Sequence, residues 1–264
     1  MNELEKKLKK IVSARKKIVC AFLTLGYPTL AHTKKMIIDF EKSGVDLIEL
    51  GFPFSDPLAD GPTIQASSEF ALQKGAKLAK AFQLVSALRK EGTQIPIVLF
   101  SYVNPIFHYG ISSLAKKLHT SGFQGAVIPD LPPEEAYETE REFSKNNLDL
   151  VYLIAPTTAK KRAHMIAKKS KGFIYYVSLK GVTGARKMLP GDIAHSVKEL
   201  RGKFKKPVLV GFGVSTSKQV KEICRFSDGV IVGSAIIDCL KRTKFSTEKT
   251  SRFMASLVRA ANGS

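Results

Sequence analysis

Ile48-Glu49-Leu50-Gly51-Phe52-Pro53-Phe54-Ser55-Asp56-Pro57-Leu58-Ala59-Asp60-Gly61-Pro62-Thr63-Ile64-Gln65 starts as an apolar strand and ends as a Pro/Gly/Asp loop. One carboxylate, Glu49, falls at the end of the strand, and another, Asp60, falls in the loop that follows. A strand that buries Val45, Leu47, Ile48 and Leu50 offers no favourable place for an ionised Glu. An unpaired buried carboxylate is strongly penalised, so it pairs or its pKa rises. A carboxyl group held in that way suits proton transfer.

The pattern of strand, loop and helix recurs on both sides of this stretch. Strands are expected at Ile18–Leu25, Asp46–Leu50, Ile97–Ser101, Gly125–Ile128, Leu150–Ile154, Phe173–Ser178, Pro207–Gly211 and Gly229–Val232. A first helix is expected over 3–12, with Leu4, Leu8, Ile11 and Val12 on one face. Further helical stretches lie near 32–43, 78–91, 111–121, 133–146, 158–169, 191–201, 216–225, 234–240 and 247–261. Ser43-Gly44 and Ser121-Gly122 are stop signals ahead of strands, and Pro132-Pro133 with Glu134 and Glu135 reads as a helix start. Eight strand–helix units point to an α/β fold, a closed (β/α)8 TIM barrel with an extra N-terminal helix. The chain has 264 residues, close to the roughly 250 of such a barrel. Without a linker or low-complexity break, residues 1–264 are expected to form a single domain. The first strand ends Leu25-Gly26-Tyr27-Pro28, not the Gly-rich turn of a dinucleotide-binding fold.

In a barrel the chemistry sits on loops at the C-terminal ends of the strands. Two glycine-bearing turns end the last two strands, Gly211-Phe212-Gly213 and Gly233-Ser234-Ala235. Alone, a Gly-x-Gly is equally a tight turn. Paired at these strand ends, with a short helix supplying unpaired N–H donors, they form a candidate phosphate cradle. The segment Val177-Ser178-Leu179-Lys180-Gly181-Val182-Thr183-Gly184-Ala185-Arg186 is long, polar and punctuated by glycine, which reads as a lid or as a surface loop. Gly184 would add an N–H to the phosphate, and Thr183 would move with the loop to order a carboxylate. Phe22, Tyr102 and Tyr175 read as barrel filling or as the walls of a slot for a flat apolar substrate, completed by Phe100 and Ile64.

Composition narrows the field. No apolar run reaches the ~18–20 residues of a membrane span, and Met1–Lys17 has no signal-like apolar core. Three scattered cysteines, Cys20, Cys224 and Cys239, suit a reducing cytoplasm rather than a disulfide framework or zinc site. The histidines (His32, His108, His119, His164, His195) show no ligand spacing, so no metal is expected. The formal charge is +19, with lysine pairs such as Lys160-Lys161 and Lys205-Lys206 spread along the chain. Lacking any nucleic-acid-binding motif, the pairs read as solvated faces, and neither a nucleic-acid nor a membrane partner is expected.

The run from Glu49 to Gln65 closely resembles the signature of the tryptophan synthase alpha subunit family. The likeness extends to Tyr102-Val103-Asn104-Pro105, Pro129-Asp130-Leu131-Pro132, Gly181-Val182-Thr183-Gly184, Gly211-Phe212-Gly213 and Gly233-Ser234-Ala235. The resemblance implies cleavage of indole-3-glycerol phosphate to indole and glyceraldehyde 3-phosphate. It makes Glu49 the general acid/base and Asp60 the acceptor of the indole N–H. It assigns phosphate binding to Gly184, Gly213, Gly233 and Ser234, and the indole pocket to Phe22, Ile64, Phe100 and Tyr175; Tyr102, Thr183, Gly211 and Phe212 are expected among the substrate-binding residues, with Thr183 on the lid. Phe100 stands where a smaller aliphatic is often found, which narrows the expected slot. No cofactor is implied in this chain; pyridoxal phosphate belongs to a beta partner in an α2β2 assembly, met by loops bearing Asp56, Asn104 and Pro132. Two alternatives remain at this point: another phosphate-binding barrel enzyme, and a non-catalytic subunit that activates a beta partner.

Overall fold

Ile18–Thr24 (β1) is buried at every position, as a strand covered on both faces must be. A computed structural model describes residues 2–177, 190–211 and 213–263. Helix α1 (Glu3–Ser13) precedes β1 and turns Leu4 and Leu8 inward. Then follow α2 (Leu30–Lys42), β2 (Leu47–Gly51), α3 (Pro62–Gln73), α4 (Leu78–Lys90), β3 (Ile97–Phe100), α5 (Val103–Tyr109), α6 (Ile111–Ser121), β4 (Gly125–Val127), α7 (Tyr137–Lys145), β5 (Asp149–Val151) and β6 (Leu153–Ile154). The remainder is α8 (Lys160–Lys169), β7 (Ile174–Val177), α9 (Pro190–Phe204), β8 (Val208–Gly211), α10 (Ser217–Cys224), β9 (Gly229–Val232), α11 (Ser234–Arg242) and α12 (Thr247–Asn262).

The strands pair in the order β5-β4-β3-β2-β1-β9-β8-β7-β6, and the pairings are parallel. The two ends of that order, β5 and β6, are separated in the chain only by Tyr152, so the sheet closes on itself. They are one barrel strand interrupted at Tyr152, whose N–H donates to Ser170 Oγ (3.1 Å) and whose hydroxyl donates to Glu140 (2.7 Å). This is the expected (β/α)8 barrel with its extra N-terminal helix. Among the described residues no helix is long and apolar enough to cross a membrane.

The barrel floor, at the N-terminal ends of the strands, is closed by side chains that accept backbone N–H groups. Asp46 takes the N–H of Val19 (2.9 Å), Gln124 that of Ile97 (2.7 Å), Ser170 that of Tyr152 and Asp228 that of Val208 (3.0 Å). Counting β5 and β6 as one, these join strands one to two, three to four, five to six and seven to eight. Asp46 therefore lies just before β2 rather than inside it, its carboxylate held by the neighbouring strand.

Three helix expectations need correction. The chain forms α3 and α5 where only loop is expected, and both ride on the mouth. The helix expected from residue 133 begins at Tyr137, because residues 133–135 form a turn. Gly122 ends α6 as expected, with φ +92, in the left-handed region that suits glycine.

Candidate active site

Parallel register places Phe22 beside Glu49, and Glu49 beside Val98. Glu49 is 2% exposed, and its Oε1 has no hydrogen-bond partner among the described residues. Burial, with a smaller contribution from the Asp60 charge, pushes its pKa to about 8. At neutral pH this carboxyl is predominantly protonated, in the form that can give a proton.

Asp60 is held by the loop and by Tyr102. The Ala59 N–H donates to the Tyr102 hydroxyl at 3.2 Å, and that hydroxyl donates to the Asp60 carboxylate. Gln65 Nε2 donates to the Asp60 carbonyl at 2.8 Å. Gly61 then caps α3, with Pro62 in its first turn, a position where a missing N–H costs nothing. Burial raises Asp60 to about 6 against the lowering effect of the Tyr102 hydrogen bond. The two carboxyl groups therefore differ in charge near neutrality: Glu49 is neutral, Asp60 is ionised.

The aromatic residues meet around this pair. Phe22 and Phe100 pack edge to face at 5.6 Å, Phe100 and Tyr102 at 6.1 Å, and Phe54 lies 5.4 Å from Tyr102. A Cβ on Gly51 would stand 2.4 Å from the Phe22 ring, so Gly51 is what lets that ring lie across the end of β2. Ile64 Cδ1 and Phe22 Cβ both come within 3.5 Å of the Cβ position at Gly233, joining the slot to the glycine turn. Tyr175 is buried, with its hydroxyl 2.7 Å from where a Cβ of Gly211 would be. Gly211 thus makes room for Tyr175, a role distinct from contact with an anion. Burial, then Glu49, raise the Tyr175 pKa far above its ordinary value.

The two helices behind the glycine turns differ at their N-termini. Helix α10 is closed by a capping box, in which Thr216 accepts from the Gln219 N–H and the Gln219 side chain accepts from Thr216. Helix α11 opens at Gly233 with no side-chain cap, which leaves its first-turn N–H groups, beginning with Ser234, for an anion. Gly213 is exposed and has φ +71. Gly213→Leu is expected to raise the KM for a phosphate-bearing substrate by about tenfold or more, through backbone strain and the side chain's bulk. Initial-rate kinetics check this, and an unchanged KM would place the phosphate elsewhere. Thr183, Gly184 and Phe212 lie outside the described residues, as does the lid segment 178–186.

Sequence reasoning missed Gly51, Phe54 and the buried pair Thr24 and Ser67. Thr24 was reachable, because alternation puts it on the same face of β1 as Phe22. Nothing local marks Ser67, a small residue in a helix that was itself read as loop.

Comparisons with known proteins agree with this geometry. The family model described as tryptophan synthase alpha chain matches residues 8–262. The tryptophan synthase alpha chain of Geobacter sp. (strain M21) is 46% identical over 237 residues, covering 90% of this chain and 88% of that one. That of Aquifex aeolicus is 40% identical over 260 residues, with 98% and 97% covered. The crystal structure of tryptophan synthase subunit alpha from Legionella pneumophila superposes with a TM-score of 0.90 at 34% identity, covering 99% of this chain and 98% of that one. Likeness at this level over nearly the whole length of the chain means that it belongs to the tryptophan synthase alpha chain family, the indole-3-glycerol-phosphate lyases of tryptophan biosynthesis.

Proposed function

We propose that Glu49 and Asp60 divide the cleavage of indole-3-glycerol phosphate between them. The observation that carries this reading is the buried Glu49 carboxyl, whose Oε1 has no hydrogen-bond partner among the described residues and which is predominantly protonated near neutrality. In the first step Glu49 gives its proton to indole C3, and the ring nitrogen takes on positive charge. Asp60, ionised, accepts the indole N–H and stabilises that charge. Glu49, now a carboxylate, takes the proton of the glycerol hydroxyl next to the scissile bond. The bond from C3 to that carbon breaks, its electron pair restores the indole ring, and the alkoxide becomes the aldehyde of glyceraldehyde 3-phosphate. Glu49 ends protonated, ready for another turnover.

In the same reading Phe22, Ile64, Phe100, Tyr102 and Tyr175 wall the indole slot. Gly184, Gly213, Gly233 and Ser234 hold the phosphate, and Thr183 closes with the lid. The chain functions as one domain in the cytoplasm and needs no cofactor of its own. It docks a beta partner in an α2β2 assembly, and that partner carries pyridoxal phosphate. Support for the docking face comes from Leu58 (82% exposed), Phe107 (54%) and Tyr137 (74%), apolar side chains presented by three successive units at the mouth.

Indole release from indole-3-glycerol phosphate, measured across pH with and without a beta subunit, tests the reading. Asp60 must be ionised, so kcat/KM rises as pH passes about 6. Glu49 must be protonated, so kcat/KM falls as pH passes about 8. A profile without the basic limb would remove Glu49 as the acid, and no indole even with the partner would remove the assignment of both carboxylates.

A further inference from the structure

Helix α3 is an addition to the repeating strand–helix plan, inserted between β2 and α4, and it carries the slot residue Ile64 directly after Asp60. Its position over the mouth is set by contacts with β1 and α11. A buried polar link crosses the first of these. Thr24 Oγ1 and Ser67 Oγ are 2.7 Å apart, with Thr24 3% exposed and Ser67 fully enclosed. Ser67 Oγ also lies 2.8 Å from the carbonyl oxygen of Ile64. A carbonyl can only accept, and a hydroxyl has one proton to give. The direction follows: Thr24 donates to Ser67, and Ser67 donates to Ile64.

The relay ends on the first turn of α3. The Ile64 side chain reaches the Gly233 turn and Phe22, and the next residue, Gln65, grips the Asp60 carbonyl. At the other end, Thr24 stands two residues beyond Phe22 on the inward face of β1. The relay therefore connects the rigid barrel wall to the turn that positions Asp60.

We propose that Thr24 and Ser67 are positioning residues for the cleavage, a buried hydroxyl relay that holds the first turn of α3, and with it Asp60 and Ile64, in the geometry of turnover. The proposal rests on the role given above to Asp60. A displacement of about 1 Å at a reacting group costs up to about 10²-fold in rate, so the relay acts on kcat more than on affinity.

Thr24→Val keeps the shape of the side chain and removes the donor. It should lower kcat for indole release by about tenfold or more while KM stays within about threefold, and Thr24→Ser should restore kcat. Ser67→Ala breaks the relay from the helix side with a residue of higher helix propensity, so it carries the test if Thr24→Val does not fold; the same fall in kcat is expected. Thermal melting of each variant separates a loss of fold from a loss of geometry. Parental kcat in both Thr24→Val and Ser67→Ala overturns the proposal, and so does a Thr24→Ser variant as impaired as Thr24→Val, which would assign the effect to the methyl group. Asp60→Asn assayed alongside separates the two layers. If it keeps parental kcat, the role of Asp60 falls and the relay's target with it. If it loses turnover while the relay variants keep theirs, the relay alone is overturned.

Discussion

Glu49→Gln should lower kcat for indole release by about 10³-fold or more, because it removes both the proton donated to C3 and the base that accepts the hydroxyl proton. Substrate affinity should stay within about threefold, since Gln fills the same volume and the phosphate is assigned to other residues, on the turns after β8 and β9. The same substitution has a second signature. The Glu49 carboxyl has a folded pKa of about 8 against an ordinary 4.5. Below 4.5 the folded and unfolded chains both hold this proton, and the group contributes nothing to the pH dependence of stability. Between 4.5 and 8 only the folded chain holds it, so stability falls as pH rises. Above about 8 the full penalty applies. Glu49→Gln escapes that penalty and should become more stable than its parent as pH rises, by a few kcal/mol at pH 9. Urea titrations of both proteins at pH 4, 7 and 9 check this. Parallel stability curves would mean that Glu49 is not desolvated in the free protein, and retained turnover would remove it from the chemistry.

Asp60→Asn should lower kcat by about 10²-fold or more, the scale of losing one charged group that faces developing charge in an enclosed site. Asn retains a side-chain oxygen to accept from Tyr102, so the loop should keep its path, and above about pH 6 the variant should melt no lower than its parent, since it escapes the burial penalty of the ionised carboxylate. The acid limb near 6 should vanish from the kcat/KM profile while the basic limb near 8 remains. An acid limb that persists would assign it to another group. Because the two carboxyl groups influence each other, the limbs belong to the pair, and the basic limb should move slightly down once the Asp60 charge is gone.

The parts of this molecule that were legible in the sequence are those where periodicity and burial coincide. Strands such as Ile18–Thr24 are apolar throughout because both faces are covered, and α6 and α12 carry clean amphipathic stripes ended by glycine. Helix α3 escaped for a physical reason. Its buried face includes Ser67 and Ser68, so the hydrophobic period is absent, and its polar contacts are supplied by β1 rather than by solvent. Helix α5 escaped because it is short and carries Pro105 in its first turn. The turn at 133–135 was misread because Glu134 is used in an ion pair with Arg162 rather than at a helix start. At the site, Glu49 and Asp60 stood out by their chemistry. The opposed charge states of the pair did not, since they depend on burial and on the Tyr102 hydroxyl, which lies forty-two residues beyond Asp60 in the chain.

The floor of the barrel divides the chain in a way the mouth does not. Each of its four side-chain to backbone bonds joins residues only 18 to 27 positions apart, so the entropic cost of closing one differs from that of another by about 0.4 kcal/mol. No bond in that set links strand two to three, four to five, or six to seven. By these four bonds the strands are fastened in pairs, while Glu41, which accepts the N–H groups of Gln94 and Ile95, and Lys206, which donates to the Ser170 carbonyl, tie the first pair to the second and the third to the fourth. A cut at any of the three seams between pairs severs none of the four bonds, which makes the seams the natural places at which to split the protein into complementing fragments.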